Sequence, residues 1–426
     1  MAAATAWSFP TAGTVANADG YIGGSILSSN NNALVSGTNS LWTNSGILYV
    51  GLFGGGNTLT IASEGSVAAA SISLGASNGS SGTLNIGSLG GSDAGGTITA
   101  GSIDGGLGTG TINFNQTNNV TVTSMITGTN LSLNHLGTGT VTLSGASYSG
   151  GTLVSVGALA GSSSGLQGNI TNNGIVIFDQ GTNGSYAGML SGSGAVSKAG
   201  GGTVTFTTEN TYSGGTVINY GTLTLNASSG KAAKNTVSVT VATNATLLIS
   251  ASEQVNNSAA VTLSGGTIAR GGGVSETFGT LNLTANSFLN YGSFSESNFI
   301  QFGSLSMGGF TLGVTGFANQ NQLAYSASSL IDGASKLSSF TFDNSYTTSF
   351  SSGAFTITAI PEASTSAAGL ALLAFGAWVF ISTTPRFFLP LKLRRWKGDL
   401  HSLVWKATRL AASSALAASG RMPMRR

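Results

Sequence analysis

From about Leu48 to Leu263 one local pattern recurs. Three to five residues alternate between aliphatic or β-branched side chains and Thr, Ser or Asn, and then Gly or Asn breaks the run. Thr58-Leu-Thr-Ile61, Thr83-Leu-Asn-Ile86, Thr111-Ile-Asn-Phe114, Thr140-Val-Thr-Leu143, Thr203-Val-Thr-Phe206 and Thr222-Leu-Thr-Leu225 are examples. Alternation with a period of two places Val, Leu and Ile on one face of a strand and the hydroxyls and amides on the other. No sustained helical period occurs before residue 364. The expectation is an all-β body of short strands, apolar side inward.

The pattern also repeats at longer range. Tyr148-Ser-Gly-Gly-Thr152 returns as Tyr212-Ser-Gly-Gly-Thr216, 64 residues on, with Gly150 and Gly151 answered by Gly214 and Gly215. Recurring units of short strands and Gly/Asn turns point to a solenoid, in which each coil buries its apolar face against the next. A β-sandwich is the alternative, but it needs no recurring unit. The segment from Gly188 to Thr224 contains a Gly-x-Gly turn, Lys198 ahead of a glycine pair, a Thr-rich strand and Asn210-Thr-Tyr-Ser-Gly-Gly-Thr216. It resembles the autotransporter-associated β-strand repeat of bacterial surface proteins. Residues 137–160 hold a weaker copy, with Ala146-Ser147 where Asn-Thr is usual. That resemblance implies a right-handed parallel β-helix and display at the cell surface.

These readings divide the chain into a start of the solenoid (1–45), solenoid repeats (46–275) and an atypical β region (276–360). In the last, Phe becomes frequent and strict repetition fades. An atypical end is expected because an open solenoid edge invites pairing between chains.

A different signal follows. Pro361, Glu362, Ala363 and Ser364 precede an uncharged apolar run, 367–384, and then a basic stretch with Arg386, Lys392, Arg394, Arg395 and Lys397. As a helix the run would span about 27 Å, near the thickness of a bilayer core. Basic residues on one side only would hold that end in the cytoplasm and the body outside. The arrangement over 361–397 resembles the PEP-CTERM sorting signal of Gram-negative bacteria, with Ala363 where the motif has Pro. It implies one transmembrane helix, processing by an exosortase-type enzyme at the inner membrane and onward passage of the body to the surface. Residues 398–426 form a basic tail, readable as an amphipathic helix on the cytoplasmic leaflet or as a read-through end. No signal peptide is visible at the start of the sequence.

Composition fits a polar, uncharged exterior. Charged residues make up 7% of the chain and Gly occurs 65 times, about a quarter and twice the usual shares respectively. With no cysteine, disulfides, thiolate metal sites and cysteine nucleophiles are all excluded. The net charge of +2 divides unevenly: residues 1–360 carry 5 Lys/Arg and 11 Asp/Glu, so the basic balance belongs to the tail. It gives no reason to expect a nucleic-acid partner.

Little of the body is suited to catalysis. Of the two histidines, His135 reads as a turn residue and His401 lies beyond the basic stretch. A Ser-His-Asp triad or a histidine zinc site has no support from so few. Asp93 and Asp104 sit in Gly-rich contexts that faintly resemble calcium-binding β-rolls, but those repeat every nine residues, so turn roles are expected. Neither metal nor cofactor nor catalytic residue is predicted. Two other functions keep a foothold. A polysaccharide-active β-helix enzyme would need carboxylates that coil stacking brings together. An ice-binding face would use the Thr-x-Thr triplets that begin at Thr58, Thr97, Thr121, Thr140, Thr203, Thr222 and Thr356. Tyr148 and Tyr212 offer either stacked turn aromatics or a carbohydrate platform. The leading expectation is an exported structural or adhesive protein of the cell surface or extracellular matrix, anchored first by its C-terminal helix, with extracellular polysaccharide as a partner.

Overall fold

The computed structural model describes residues 6–8, 12–292, 298–318 and 321–360. The sorting motif, the apolar run 367–384 and the basic residues after it lie outside the described residues. Among those described, no helix is long and apolar enough to cross a membrane.

The chain winds into a parallel β-solenoid of about 13 turns. Its strands form four sheets of 9, 8, 13 and 8 strands, hereafter the first to fourth sheets. The first two make up the early coils and the last two the later ones, and the first three overlap in the middle of the solenoid. Coil length varies from 17 residues, where Leu159 faces Val176, to 31, where Ile72 faces Ile103. The 64-residue repeat is therefore not one coil. Leu133 faces Thr152, Thr152 faces Ile170 and Ile170 faces Leu190, three coils within the first sheet. The repeat unit, which starts its first copy on the first sheet in Leu131–His135, starts its second on the third sheet in Ala195–Ala199. The repeat returns after three coils, displaced by one face.

The alternation of the sequence is what winds the chain. In strand Asn57–Ala62, Leu59 and Ile61 are fully buried while Thr58 and Thr60 face outward. Leu59, Leu84, Ile112 and Leu133 stand in register on successive rungs, all 0% exposed. Each rung thus covers the apolar face of the one before, a contribution of roughly 1.5–3 kcal/mol per fully buried aliphatic side chain. With so few charges, like-charge opposition across the rungs hardly arises.

Parallel pairing continues through the Phe-rich stretch as far as Phe340–Phe342. The direction then changes. Strand Ala354–Ala359 runs antiparallel to Gln322–Ser326 and to Tyr346–Ser351. A short helix, Leu330–Ser335, is capped by Ser329, whose side chain accepts from the Asp332 N–H. The Tyr325 hydroxyl donates to the Gly333 carbonyl at 2.7 Å, and its ring packs against Phe340 and Phe355. Reversal of the last strands ends the parallel ladder, and an aromatic cluster seals the core beneath it.

Candidate functional site

No group of three His, Cys, Asp or Glu is placed to hold a metal ion among the described residues. Asp104 lies on strand Thr97–Gly105 and accepts hydrogen bonds from the Ser102 hydroxyl at 2.6 Å and from Thr127. Asp93 lies in the loop before that strand and accepts from the Ser88 N–H at 2.8 Å and the Ser63 hydroxyl at 3.2 Å. The two carboxylates serve separate groups. Asp104 is a strand residue, not the turn residue that its glycine context suggests.

His135 is likewise no turn residue. It ends strand Leu131–His135 and is fully buried in an inward column between Phe114 and Val154. Nε2 lies 2.9 Å from the Gly139 carbonyl, and burial holds the imidazole below its ordinary pKa.

The repeat-motif tyrosines also point inward. Tyr148 and Tyr212 are 5% and 0% exposed. Each shares a 2.6 Å hydrogen bond with the threonine four residues on, Thr152 and Thr216. Burial pushes both phenols up to about 12. They offer no platform to a ligand. One aromatic pair that does reach the surface is Tyr21 and Tyr49, in register on neighbouring rungs and stacked at 5.3 Å.

Polar groups do converge on the outer face of the first sheet. Strands Asn32–Ser36, Asn57–Ala62, Ser81–Ile86, Thr109–Phe114 and Leu131–His135 lie side by side there. Their outward residues form two ranks. One runs Asn32, Thr58, Thr83, Thr111, Ser132; the other runs Leu34, Thr60, Asn85, Asn113, Asn134. In the second rank the amides join head to tail. Asn134 Nδ2 donates to Asn113 Oδ1 and Asn113 Nδ2 to Asn85 Oδ1, both at 2.9 Å, and Asn85 Nδ2 donates to Thr60 Oγ1 at 3.2 Å. The ladder forms because parallel rungs lie about 4.8 Å apart, a distance one amide spans.

Above this face lies an open cleft of about 590 Å³, floored by Asn32, Thr58 and Thr83 of the first rank and by Leu34, Thr60, Asn85 and Asn113 of the second, and walled by Ser88 and Leu89. The wall is well tied. Besides Asp93's two bonds, its carbonyl accepts from the Thr117 N–H and hydroxyl at 3.0 and 3.1 Å, and the Gly95 N–H donates to Asn118 Oδ1 at 2.8 Å. Gly90 and Gly91 take φ of +109° and +64°, which glycine adopts without strain and which turns the loop tip outward. Leu89, at that tip, is 76% exposed.

The triplet pattern in the sequence points to only one strand of this face, through Thr58. Its neighbours read Thr-x-Asn at Thr83 and Thr111 and Ser-x-Asn at Ser132, so a search for Thr-x-Thr passes over them. Of the triplets found, those at Thr203 and Thr222 stand in register with each other, on the fourth sheet. The usable signal was any pair of small polar residues flanking one aliphatic.

Residues 133–160 and 196–225 match the family model of the passenger-associated-transport-repeat. The two matches share their pairing: Leu133 faces Thr152 as Val196 faces Thr216, and Val141 faces Leu159 as Val204 faces Leu223. No curated protein and no solved structure matches the chain.

Proposed function

We propose that this chain is an exported structural protein, a passenger-type solenoid displayed at the cell surface, where it mediates adhesion or extracellular assembly. The observation that carries this reading is the coincidence of the two matched repeats with equivalent coil-to-coil pairings in sparsely charged parallel ladders. A long array of backbone hydrogen bonds with few exposed charges resists unfolding without disulfides, which suits an extracellular setting. The right-handed winding implied by the repeat agrees with the general handedness of parallel crossovers. Pro361 to Ser364, the apolar run 367–384 and the basic cluster from Arg386 to Lys397 are assigned to membrane sorting, followed by exosortase-type processing. No step of this reading uses a catalytic residue.

Expression of the full chain in a Gram-negative host carrying an exosortase system tests the assignment. Antibody to the solenoid should label intact cells, and removal of residues 361–397 should abolish labelling while leaving the protein in the cell. Labelling only after permeabilisation, with or without 361–397, overturns it.

A further inference from the structure

We infer that the cleft on the first sheet binds an extended, uncharged glycan chain running along the solenoid axis. The inference rests on the surface reading above and adds to it a location and a ligand class.

The cleft has no charged lining residue. An anionic polysaccharide would find no cation there to replace its lost hydration, whereas a neutral one needs only hydroxyl and amide partners. Those partners are present and partly unspent. In the ladder, Asn113 donates one amide hydrogen and accepts one bond. Its second hydrogen and remaining lone pairs are left for a ligand. Thr58 and Thr83 have no side-chain hydrogen bond to another protein group among the described residues, and each hydroxyl both donates and accepts.

Sugars are amphipathic, with hydroxyls at the ring edge and C–H groups on the ring face. The cleft has both characters: a mainly polar floor that Leu34 interrupts, and Leu89 at its rim. Leu89 is held out in water by a loop tied to the coils on either side. An apolar side chain fixed at the rim in that way is placed to meet a ring face. The floor also repeats. Thr58 and Thr83 stand on successive rungs about 4.8 Å apart, comparable with one sugar unit of an extended chain. Because the ladder already fixes the amide rotamers, little side-chain entropy is lost on binding.

Calorimetric titration of the purified full chain in detergent with cellohexaose, and in parallel with polygalacturonate, tests the inference. Saturable binding of cellohexaose and none of polygalacturonate is expected. Leu89→Asp, at an exposed tip, and the near-isosteric Thr83→Val should each weaken binding by about tenfold or more, while Thr240→Val on the third sheet should not. Three results would overturn it: no saturable binding of cellohexaose, equal affinity in Leu89→Asp and wild type, or preference for polygalacturonate. Thermal hysteresis of ice growth that Thr83→Val abolishes, without glycan binding, would assign the face to ice instead. The two readings fail separately. Surface labelling with no effect of the cleft variants removes the cleft alone, and cleft-dependent binding by a protein that never reaches the surface removes the surface reading alone.

Discussion

Lys198 occupies, in the second copy of the repeat, the place that His135 occupies in the first. Both are fully buried, and both stand in an inward column, His135 between Phe114 and Val154 and Lys198 between Phe178 and Ile218. Both reach forward to carbonyls of the glycine turn that follows. Lys198 Nζ donates to Ala199 O at 2.6 Å, Gly200 O at 2.7 Å and, one coil on, Tyr220 O at 3.2 Å. Two of these carbonyls also accept a backbone N–H, Gly139 O from Ala158 and Ala199 O from Gln180, and the buried side chain adds a second donor to each. With three carbonyl oxygens on its three N–H groups, the ammonium is fully hydrogen-bonded inside the core.

Lys198→Met keeps the aliphatic stem and removes all three donors. The carbonyls it leaves behind should cost on the order of 3 kcal/mol, seen as a lower denaturation midpoint with an unchanged slope. A midpoint equal to wild type would mean that water reaches these carbonyls and that Lys198 is only filler.

His135 predicts acid sensitivity. Burial lowers its folded-state pKa below the ordinary value of 6.5. As pH falls below that value, the unfolded chain takes up a proton that the folded chain refuses, so folding loses stability until the folded value is passed. Thermal unfolding from pH 7 to 5 should show a decline that His135→Gln reduces. An identical decline in the variant would place the acid sensitivity elsewhere.

Glu276 predicts the opposite slope in a different range. It opens strand Glu276–Ala285, fully buried, accepting from the Gln254 N–H at 2.6 Å and the Val255 N–H at 3.3 Å. Burial pushes the carboxyl up to about 8, against the pull of those two donors. A raised folded value means that the stabilising contribution is complete below the unfolded value near 4.5 and is lost as pH rises through 8. Wild type should therefore lose on the order of a few kcal/mol between pH 5 and 9, and Glu276→Gln should lose less. Parallel curves for the two proteins would show that Glu276 is ionised throughout.

Strand alternation was plain in the sequence because each short run carries both halves of its fate: Leu84 and Ile86 go inward, Thr83 and Asn85 outward. What local pattern does not carry is which runs become neighbours. Coil length varies with turn length, so Asn85, Asn113 and Asn134 are 28 and 21 residues apart. Their amide ladder exists only once the register is set. The inward direction of Tyr148 and Tyr212 was hidden for a similar reason. A tyrosine beside Ser-Gly-Gly reads as surface until the threonine four residues on takes its hydroxyl and lets the ring be buried. His135 and Lys198 read as polar, yet three-dimensional pairing puts both in apolar columns.

The two glycines of the Tyr-Ser-Gly-Gly-Thr motif have different jobs, and substitution should separate them. At Gly150 an added Cβ would fall 2.3 Å from the Leu131 carbonyl oxygen, and at Gly214 the same distance from that of Gly194. Both obstacles are backbone of an adjoining coil, which cannot rotate aside, so relief requires prising rungs apart. Gly151 meets nothing within 4 Å, but its φ is +87°, outside the range L-residues favour. Gly151→Ala should thus cost only backbone strain, on the order of 1 kcal/mol. Gly150→Ala and Gly214→Ala should cost overpacking energy, typically about 1–3 kcal/mol and more where backbone must move. Equilibrium unfolding of the three variants should rank Gly151→Ala as the mildest, with the other two similar to each other. Had the motif glycines been kept only for turn conformation, Gly151→Ala would be the worst of the three. That ranking would remove the close approach of successive coils as the reason the motif recurs.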